Sequence, residues 1–241
     1  QAGNRFPPHD NVIRLATVNN IVDSVNANRL AQLQTEERVF RSSFGTGDAS
    51  AFGNTLPAEA DLHLKVGAQV MFIKNDDQKP VKNSDGVMSW RWVNGTIGKV
   101  VSFGEGNYVL VEADNEIHTV GVSTWQKVRY LVEEEFNEGT GKFTETIVPE
   151  VLAEFRQIPL RLAWAVTVHK SQGQTYDEVT IDMGAGAFSS GHTYVALSRV
   201  RSLEGLYLTK PIRLKDIQVD QAVIEFMGGA RTLVNEDPLG I

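Results

Sequence analysis

The densest cluster of residues able to do chemistry lies in the stretch AVTVHKSQGQTYDEV, residues 165–179. The first eight residues of this stretch belong to the segment AWAVTVHKSQ, residues 163–172, which we predict to be helical. We expect the helix to end at Gly173. Lysine and hydroxyl donors at a helix end suit the oxygens of a phosphate. The pattern therefore predicts a phosphate-binding turn formed by Thr167, His169, Lys170, Ser171 and Gln172.

A second stretch, MGAGAFSSGHTYVALSRVRS, resembles a nucleotide-binding P-loop from Gly186 onward, where it reads Gly-x-x-x-x-Gly-His-Thr. A working P-loop needs a lysine ammonium that reaches the phosphates, and it follows the first strand of its domain. His192 stands at the lysine position, is mostly neutral at pH 7 and is too short to replace lysine. We interpret the pattern as a glycine-rich turn into a helix.

The helix predicted over TYVALSRVRS brings two arginines close to its end. Tyr194, Val195 and Leu197 are expected to face a core, so that Arg199 and Arg201 project from the helix. A guanidinium is always charged and presents a planar fork of donors, which suits charge that develops on a phosphate. A solvated or salt-bridged surface arginine is the alternative interpretation.

Other chemistries lack the residues they need. A Ser-His-Asp hydrolase would require an elbow such as Gly-x-Ser-x-Gly, which the sequence does not contain. Cysteine is absent, which removes disulfides, thiolate metal sites and cysteine nucleophiles. Asp177-Glu178 precedes its predicted strand, whereas metal-holding carboxylates follow one. No metal site is predicted, because no ligand spacing connects the five histidines: His9, His63, His118, His169 and His192.

The elements that must position these residues alternate between strands and helices at both ends of the chain. VIRLATV predicts a strand, IVDSVNANRLAQL a helix, EVTIDM and GLYLT two further strands, and QAVIEFM a last helix. Strands that alternate with helices predict a mainly parallel sheet.

The middle of the chain shows a different pattern of predicted secondary structure. It contains five or so short β-rich runs separated by turns, which is typical of a small barrel. The stretch 42–54 is predicted to be a loop, and NEGTGK (137–142) an exposed hairpin tip. We predict one α/β domain formed by residues 1–64 and 158–241, with a β-barrel formed by residues 65–157 inserted into it.

Composition narrows the class of protein. The 241 residues are 41% hydrophobic and carry a net charge of −7, which argues against a uniformly basic surface but allows a local nucleic-acid site. No apolar run could span a bilayer and no signal peptide opens the chain. We expect a soluble protein without a membrane partner, cytoplasmic in a bacterium, and nuclear or mitochondrial in a eukaryote.

Several segments resemble known helicase motifs. IPLRLAWAVTVHKSQGQTYDEVTID and FSSGHTYVALSRVRSLEGLYL resemble motifs V and VI of the PIF and RecD-like branch of superfamily 1 DNA helicases. LKVGAQVMFIKN and WVNGTIGKVVSF resemble the segment that enters the inserted barrel of those proteins. LATVNNIVDSVNANRL resembles their motif IV region. The resemblance covers most of the chain in the right order.

The resemblance implies a fold and a set of partners. The fold is a RecA-like, P-loop-NTPase-type parallel sheet without its own P-loop, with an inserted small all-β barrel of the Src-homology type. The implied cofactors are ATP and, in the full-length protein, Mg²⁺. The implied partners are single-stranded DNA and a missing N-terminal RecA-like domain. Because Walker A and Walker B motifs are absent here, we predict that this chain alone does not hydrolyse ATP.

The same resemblance implies roles for individual residues. Arg199 is implied to be the arginine finger that stabilises charge on the γ-phosphate during hydrolysis. Gly173, Gln174 and Thr175 are implied to lie against the nucleotide. The residues implied to hold the phosphate backbone of the single strand are Thr167, His169, Lys170 and Ser171, with Thr17 and Asn19 as further contacts in motif IV.

The leading hypothesis is the C-terminal motor half of an ATP-dependent DNA helicase, which supplies the arginine finger and part of the DNA track. Two alternatives remain open. One is a non-enzymatic nucleic-acid-binding protein with a helicase-like fold. The other is the helicase module of a conjugative relaxase or of a recombination nuclease.

Overall fold

The computed structural model describes residues 7, 11–77, 80–82, 88–137, 142–186 and 189–227. Two compact units divide the chain. The first unit comprises Gln1–Arg29 and Ala163–Ile241, and the second unit comprises Leu30–Leu162.

The regular elements, in chain order, are β1 Ile13–Ala16, α1 Asn19–Gln32, β2 Glu37–Arg41, β3 Ser43–Gly47, β4 Asp61–Lys65, β5 Gln69–Phe72, β6 Val81–Lys82, β7 Met88–Ser89, β8 Ile97–Phe103, β9 Val109–Ala113, β10 Glu116–Val120, β11 Ser123–Asn137, β12 Lys142–Gln157, β13 Leu160–Leu162, β14 Ala165–Thr167, β15 Val179–Asp182, α2 His192–Leu197 and β16 Leu206–Leu208. Short 3₁₀ helices occupy Ala49–Phe52, His169–Ser171 and Leu214–Asp216. Residues 221–227 are helical.

The first unit contains a four-stranded sheet in the order β14-β1-β15-β16. Every neighbouring pair in it is parallel, as the alternation of strands and helices predicted. Its strands are short apolar runs because a parallel sheet is covered on both faces. Leu15, Val166 and Ile181 are buried on neighbouring strands of this sheet.

Helix α1 is fixed to the edge of this sheet by one side chain. The buried Asn26 donates from Nδ2 to the carbonyl oxygen of Ala165 at 2.9 Å, and its Oδ1 accepts from the N–H of Ala165 at 2.9 Å. Strand β14 is an edge strand, so Ala165 would otherwise bury a donor and an acceptor without partners. The side-chain amide of Asn26 therefore substitutes for a missing neighbouring strand.

The second unit is built from antiparallel strands. One sheet has the order β10-β9-β8-β5-β13, a second has β11-β12-β3, and β2 pairs with β4. Strands β4 and β9 bury alternate residues, as expected where one face of a strand is buried, whereas all four residues of β5 are buried. The largest fully buried side chains include Phe72, Val100, Val109, Phe155 and Leu160.

Two local predictions are wrong. The segment AWAVTVHKSQ forms strand β14 and a 3₁₀ turn rather than a helix, because Ala165–Thr167 pair with β1 in the sheet. The predicted loop 42–54 contains β3 and a 3₁₀ helix, because β3 pairs with the distant β12. Both errors come from pairing between residues far apart in sequence, which local patterns do not encode.

The compact units do not coincide with the predicted domains. The predicted boundaries followed residues 64 and 157, whereas the compact units divide after Arg29 and after Leu162. Residues 30–64 join the second unit because β2 and β4 pair with each other and β3 pairs with β12. The functional assignment of the two units as domains stays a prediction.

Candidate functional site

The first region of interest is the carboxyl edge of the parallel sheet. Ala16 lies opposite Thr167 on one side and opposite Asp182 on the other, so β1, β14 and β15 end together. The N–H of Val168 donates to the carbonyl oxygen of Ala16 at 2.9 Å, which continues the pairing past the strand ends. Loops at this edge of an α/β sheet are the usual place for ligands. We call the predicted DNA contacts here the carboxyl-edge cluster: Thr17, Asn19, Thr167, His169, Lys170 and Ser171.

Three members of the carboxyl-edge cluster are buried hydroxyl residues. Ser171 is fully buried, and its Oγ donates to the carbonyl oxygen of Val168 at 2.7 Å. Oγ1 of Thr17 donates to the carbonyl oxygen of Met183 at 3.3 Å. Oγ1 of Thr167 accepts a long hydrogen bond of 3.4 Å from the N–H of Lys170. These contacts engage the three hydroxyl groups within the protein, and their predicted role as DNA contacts stays a prediction.

The other three members, Asn19, His169 and Lys170, are exposed at the same edge. The ring centroids of His169 and His192 lie 4.7 Å apart, which joins the start of α2 to the turn after β14. Burial lowers the pKa of His192, and the charge of His169 lowers it further. The neutral form of His192 is therefore favoured. The exposed hydrogen-bond donors of the carboxyl-edge cluster are the side chains of Lys170, His169 and Asn19.

A second region surrounds Arg199, two residues after the end of α2. Its Nε donates to the carbonyl oxygen of Val195 at 3.0 Å, Nη1 to that of Gln174 at 3.0 Å, and Nη2 to Oγ of Ser198 at 2.9 Å. These bonds use three of the five N–H donors of the guanidinium. The side chain is half-buried and held from both sides, so its remaining donors point in a defined direction.

The predicted nucleotide-binding residues lie beside this arginine. The N–H of Tyr176 donates to the carbonyl oxygen of Arg199 at 2.8 Å, and the N–H of Arg201 donates to the carbonyl oxygen of Tyr176 at 3.0 Å. This bridge aligns the segment of Gln174 and Thr175 with the end of α2. Gly173 has a φ of +80°, a left-handed conformation that favours glycine, and the space around its Cα is open.

Arg201, the second predicted arginine, has a different environment. Its Nη1 lies 2.9 Å from Oδ1 of Asp177, and both side chains are largely exposed. It is the salt-bridged surface arginine that the sequence allowed as an alternative. Tyr194 is also exposed, at 75%, so the expectation that it faces the core is wrong. The buried residues of α2 are His192, Thr193 and Ala196.

The sequence patterns did not identify Tyr176 as part of this region. Its hydroxyl oxygen is buried and has no hydrogen-bond partner among the described residues. Burial raises the pKa of Tyr176 to about 12, although the charge of Arg199 opposes the shift. The only sequence signal was a large aromatic residue inside a polar turn, which by itself does not distinguish a core residue from a functional one.

The glycine turn before α2 is occupied by an acidic residue. A side chain at Gly186, which has a φ of +129°, would meet Oδ1 of Asp216 at 2.6 Å. Oγ1 of Thr193 donates to the carbonyl oxygen of the same aspartate. Oδ2 of the same carboxylate is ion-paired with Nε of Arg213 at 3.2 Å. The Asp216 side chain therefore occupies space beside Gly186, and the interpretation that this turn is not a P-loop stays a prediction.

Within the described ranges, no three His, Cys, Asp or Glu side chains are grouped to hold a metal ion. No helix in the described part of the chain is both long and apolar enough to cross a membrane.

Comparison with known proteins identifies relatives over most of this sequence. No protein-family model matches the chain. The ATP-dependent DNA helicase Pif1 of Psychrobacter sp. is 33% identical over 235 residues, which cover 82% of this chain and 34% of that protein. The chain therefore spans about a third of the length of this curated relative.

Solved structures give the same result for the fold. Bacteroides sp Pif1 in complex with ADP-AlF4 is 30% identical with a TM-score of 0.72, covering 92% of this chain and 46% of that chain. Bacteroides Pif1 bound to ssDNA is 30% identical with a TM-score of 0.68, covering 97% of this chain and 49% of that chain.

Proposed function

Because the chain is homologous to the Pif1 helicases of superfamily 1, we propose that it is the C-terminal motor half of an ATP-dependent DNA helicase. The observation that carries the proposal is the similarity of nearly the whole chain to Pif1 structures that hold ssDNA or ADP-AlF4. The parallel sheet of the first unit agrees with a RecA-like helicase fold. The antiparallel second unit is proposed to contain the inserted Src-homology-type barrel.

Arg199 is proposed to be the arginine finger. Three hydrogen bonds, to two backbone carbonyl groups and one hydroxyl, fix its guanidinium before any nucleotide binds. A preorganised cation is more effective at stabilising developing charge than one that must first be ordered. Its bond to Gln174 links the finger directly to the segment proposed to lie against ATP, which comprises Gly173, Gln174 and Thr175.

The carboxyl-edge cluster is proposed to form part of the single-stranded DNA track, with its members in two roles. Asn19, His169 and Lys170 are exposed and are the proposed contacts to the phosphate backbone. Thr17, Thr167 and Ser171 are buried and are proposed to hold the turns that present those contacts. A lysine supported by a braced turn binds phosphate with less loss of conformational entropy than one on a mobile loop.

Two further parts of the motor are proposed to come from elsewhere. ATP hydrolysis by such motors uses Mg²⁺ held by P-loop and Walker B residues, which this sequence lacks. Among the described residues, no three or more His, Cys, Asp or Glu side chains are grouped so that they could hold a metal ion. An N-terminal RecA-like domain is therefore the proposed partner that supplies both the phosphate cradle and the metal ligands.

A titration with a fluorescent single-stranded oligonucleotide tests the DNA track. Replacement of Lys170 by alanine should weaken binding several-fold, because one phosphate contact is lost. It should also reduce the salt dependence of log K by about 0.7, the value for one phosphate on a single strand. Fluorescence anisotropy at several salt concentrations gives both quantities.

Lys215→Ala is the matched control for this titration. Lys215 is an exposed lysine of the first unit in the 3₁₀ helix Leu214–Asp216, so its replacement changes the net charge equally. Equal losses of affinity in Lys170→Ala and Lys215→Ala would show a diffuse electrostatic effect and refute the assignment of Lys170.

A further inference from the structure

The second unit extends a long two-stranded arm. Strands β11 and β12 pair over their whole length, from Ser123 opposite Gln157 to Asn137 opposite Lys142. Strand β3 joins them only at the base, opposite Ala153, Phe155 and Arg156. We call residues 128–137 and 142–151 the hairpin arm.

The base of the hairpin arm is anchored by aromatic packing. The buried Phe155 ring lies 5.5 Å from the ring of Phe44, 6.0 Å from that of Phe52 and 6.0 Å from that of Trp125, measured between centroids. Such clusters stabilise the strands that contribute to them. The arm is therefore attached to its unit through a fixed base.

One face of the hairpin arm exposes apolar side chains to solvent. The register places Tyr130 opposite Pro149 and Val132 opposite Ile147 on the same face. Tyr130 is 71% exposed, Val132 62% and Ile147 68%. Large apolar side chains grouped on one exposed face mark an interaction surface more often than scattered ones do.

The two long edges of the arm differ in their ability to accept another strand. Proline is tolerated in a strand where its nitrogen faces away from the paired strand, so Pro149 removes a donor from the outer edge of β12. Strand β11 contains no proline from Ser123 to Asn137 and is the edge strand of its sheet. Among the described residues, no strand pairs with the outer edge of β11 along the hairpin arm, so its outward N–H and C=O groups there form a template for strand addition.

Charge determines which partner suits this edge. Residues 128–151 contain six glutamates against one arginine and one lysine, a net charge of −4. Beyond the apolar patch, Glu134 lies directly opposite Glu145, and both side chains are exposed. Like charges at directly opposed positions destabilise a strand pair, and a cation placed between them would remove that cost. A second copy of the arm or a nucleic acid would instead add negative charge.

We propose that the outer edge of β11 binds an extended segment of a partner protein by strand addition, and that this segment presents two apolar residues followed by one basic residue on a single face. Its apolar side chains pack beside Tyr130 and Val132, and its basic side chain lies beside Glu134 on the same face. The docking surface belongs entirely to the second unit and requires none of the residues of the proposed motor site.

The probe is a synthetic peptide with valine, valine and lysine at three successive alternate positions and threonine at the positions between them, so that the three side chains share one face. We expect saturable binding to this chain by fluorescence anisotropy, with hydrogen-exchange protection confined to β11 in the arm. A peptide with the same side chains but with alternate backbone nitrogens methylated should not bind, because it cannot donate to the edge. Equal binding of both peptides would overturn the proposal, since only charge would then be recognised.

Substitutions distinguish peptide binding at the hairpin arm from attraction to the general negative charge of the protein. Val132→Lys should raise the Kd at least ~10-fold, because it places a cation on the apolar face beside the incoming basic residue. The matched control is Ile117→Lys, since Ile117 is 63% exposed on β10 of the same unit and the charge change is identical. Equal loss of affinity in the two variants would contradict the proposal.

Two further measurements would detect other occupants of the hairpin arm, namely a second copy of this chain or single-stranded DNA. Sedimentation of the chain without peptide would reveal self-association that Val132→Lys abolishes. A single-stranded oligonucleotide would reveal DNA binding that depends on Val132. Either result would overturn the proposal of a basic protein segment.

Discussion

At the scale of single residues, the region around Arg199 shows how hydrogen bonds within the protein can hold one side chain in a fixed orientation. Its guanidinium is fixed by carbonyl groups of Val195 and Gln174, one from each of two segments that meet at a backbone bridge. Hydrogen bonds from two segments offset the entropy that a long side chain loses when it is ordered. The adjoining Tyr176 buries a hydroxyl group without a partner among the described residues, which is unusual for a buried polar atom.

Tyr176 should make stability depend on pH in the alkaline range. Its pKa is about 12 in the folded chain and 10 for an unperturbed phenol, so between these values the unfolded chain releases a proton that the folded chain keeps. The free energy of unfolding should therefore fall as the pH rises from 10 to 12, by on the order of 2 kcal/mol. Tyr176→Phe should remove this loss, as measured by urea unfolding at a series of pH values.

The control for this measurement is Tyr130→Phe, which removes a hydroxyl group from a side chain that is 71% exposed. Its unfolding should follow the pH dependence of the unsubstituted chain. If Tyr176→Phe lost stability between pH 10 and 12 as steeply as the unsubstituted chain, the buried phenol would not be the cause.

At the scale of elements, the attachment of α1 to the sheet depends on polar pairing as well as on apolar packing. Asn26 satisfies both backbone groups of Ala165 on the edge strand β14. The same strand leads into the turn that carries His169 and Lys170, so the position of α1 and the position of the proposed DNA contacts are linked. The buried hydroxyl of Ser171 then closes that turn.

Asn26→Ala should destabilise the first unit by about 2–4 kcal/mol, because it leaves a buried N–H and a buried C=O without partners. Asn28→Ala is the matched control, since Asn28 is an exposed asparagine of the same helix whose side chain makes one long bond of 3.5 Å to Ser24. Urea unfolding should show a lower free energy of unfolding for Asn26→Ala, and a free energy within about 0.5 kcal/mol of the unsubstituted chain for Asn28→Ala. Equal changes in the free energy of unfolding would show that the two hydrogen bonds between Asn26 and Ala165 contribute nothing to stability.

At the scale of the whole molecule, the chain carries one side of a two-sided catalytic site under the proposed function. The proposed finger, the proposed nucleotide-facing segment and the proposed part of the DNA track lie in this sequence, which contains no P-loop lysine motif. An arginine finger accelerates hydrolysis only when the phosphate cradle of the other domain is closed against it. Activity is therefore expected to belong to a longer protein that joins both motor domains.

Arg199→Ala in such a longer protein should lower the kcat of ATP hydrolysis by on the order of 10³-fold, while the KM for ATP changes little. Arg201→Ala is the matched control, because Arg201 is exposed and paired with Asp177. A steady-state ATPase assay with single-stranded DNA measures both. Near-normal turnover in Arg199→Ala would refute the assignment of the finger, and the chain of 241 residues alone should show no turnover.

Much of this organisation was predictable from residue types and their order. Strands alternating with helices predicted the parallel sheet. The missing lysine before Thr193 is the basis of the prediction that this turn is not a P-loop. The domain limits were harder to predict, because β3 and β12 pair across more than a hundred residues of sequence. The burial of the hydroxyl groups was also not predictable, since a serine that faces a ligand and a serine that closes its own turn have the same local sequence.

The sequence by itself determined which chemical groups the chain possesses and in what order, because motif spacing and the absence of a P-loop lysine are properties of the chain. Only the tertiary structure decided which of those groups reach solvent. It buried Thr17, Thr167 and Ser171, left Lys170 exposed, and brought Gln174 to Arg199. The physical reason is that burial and hydrogen-bond partners depend on contacts between distant segments, which exist only after the sheet has formed.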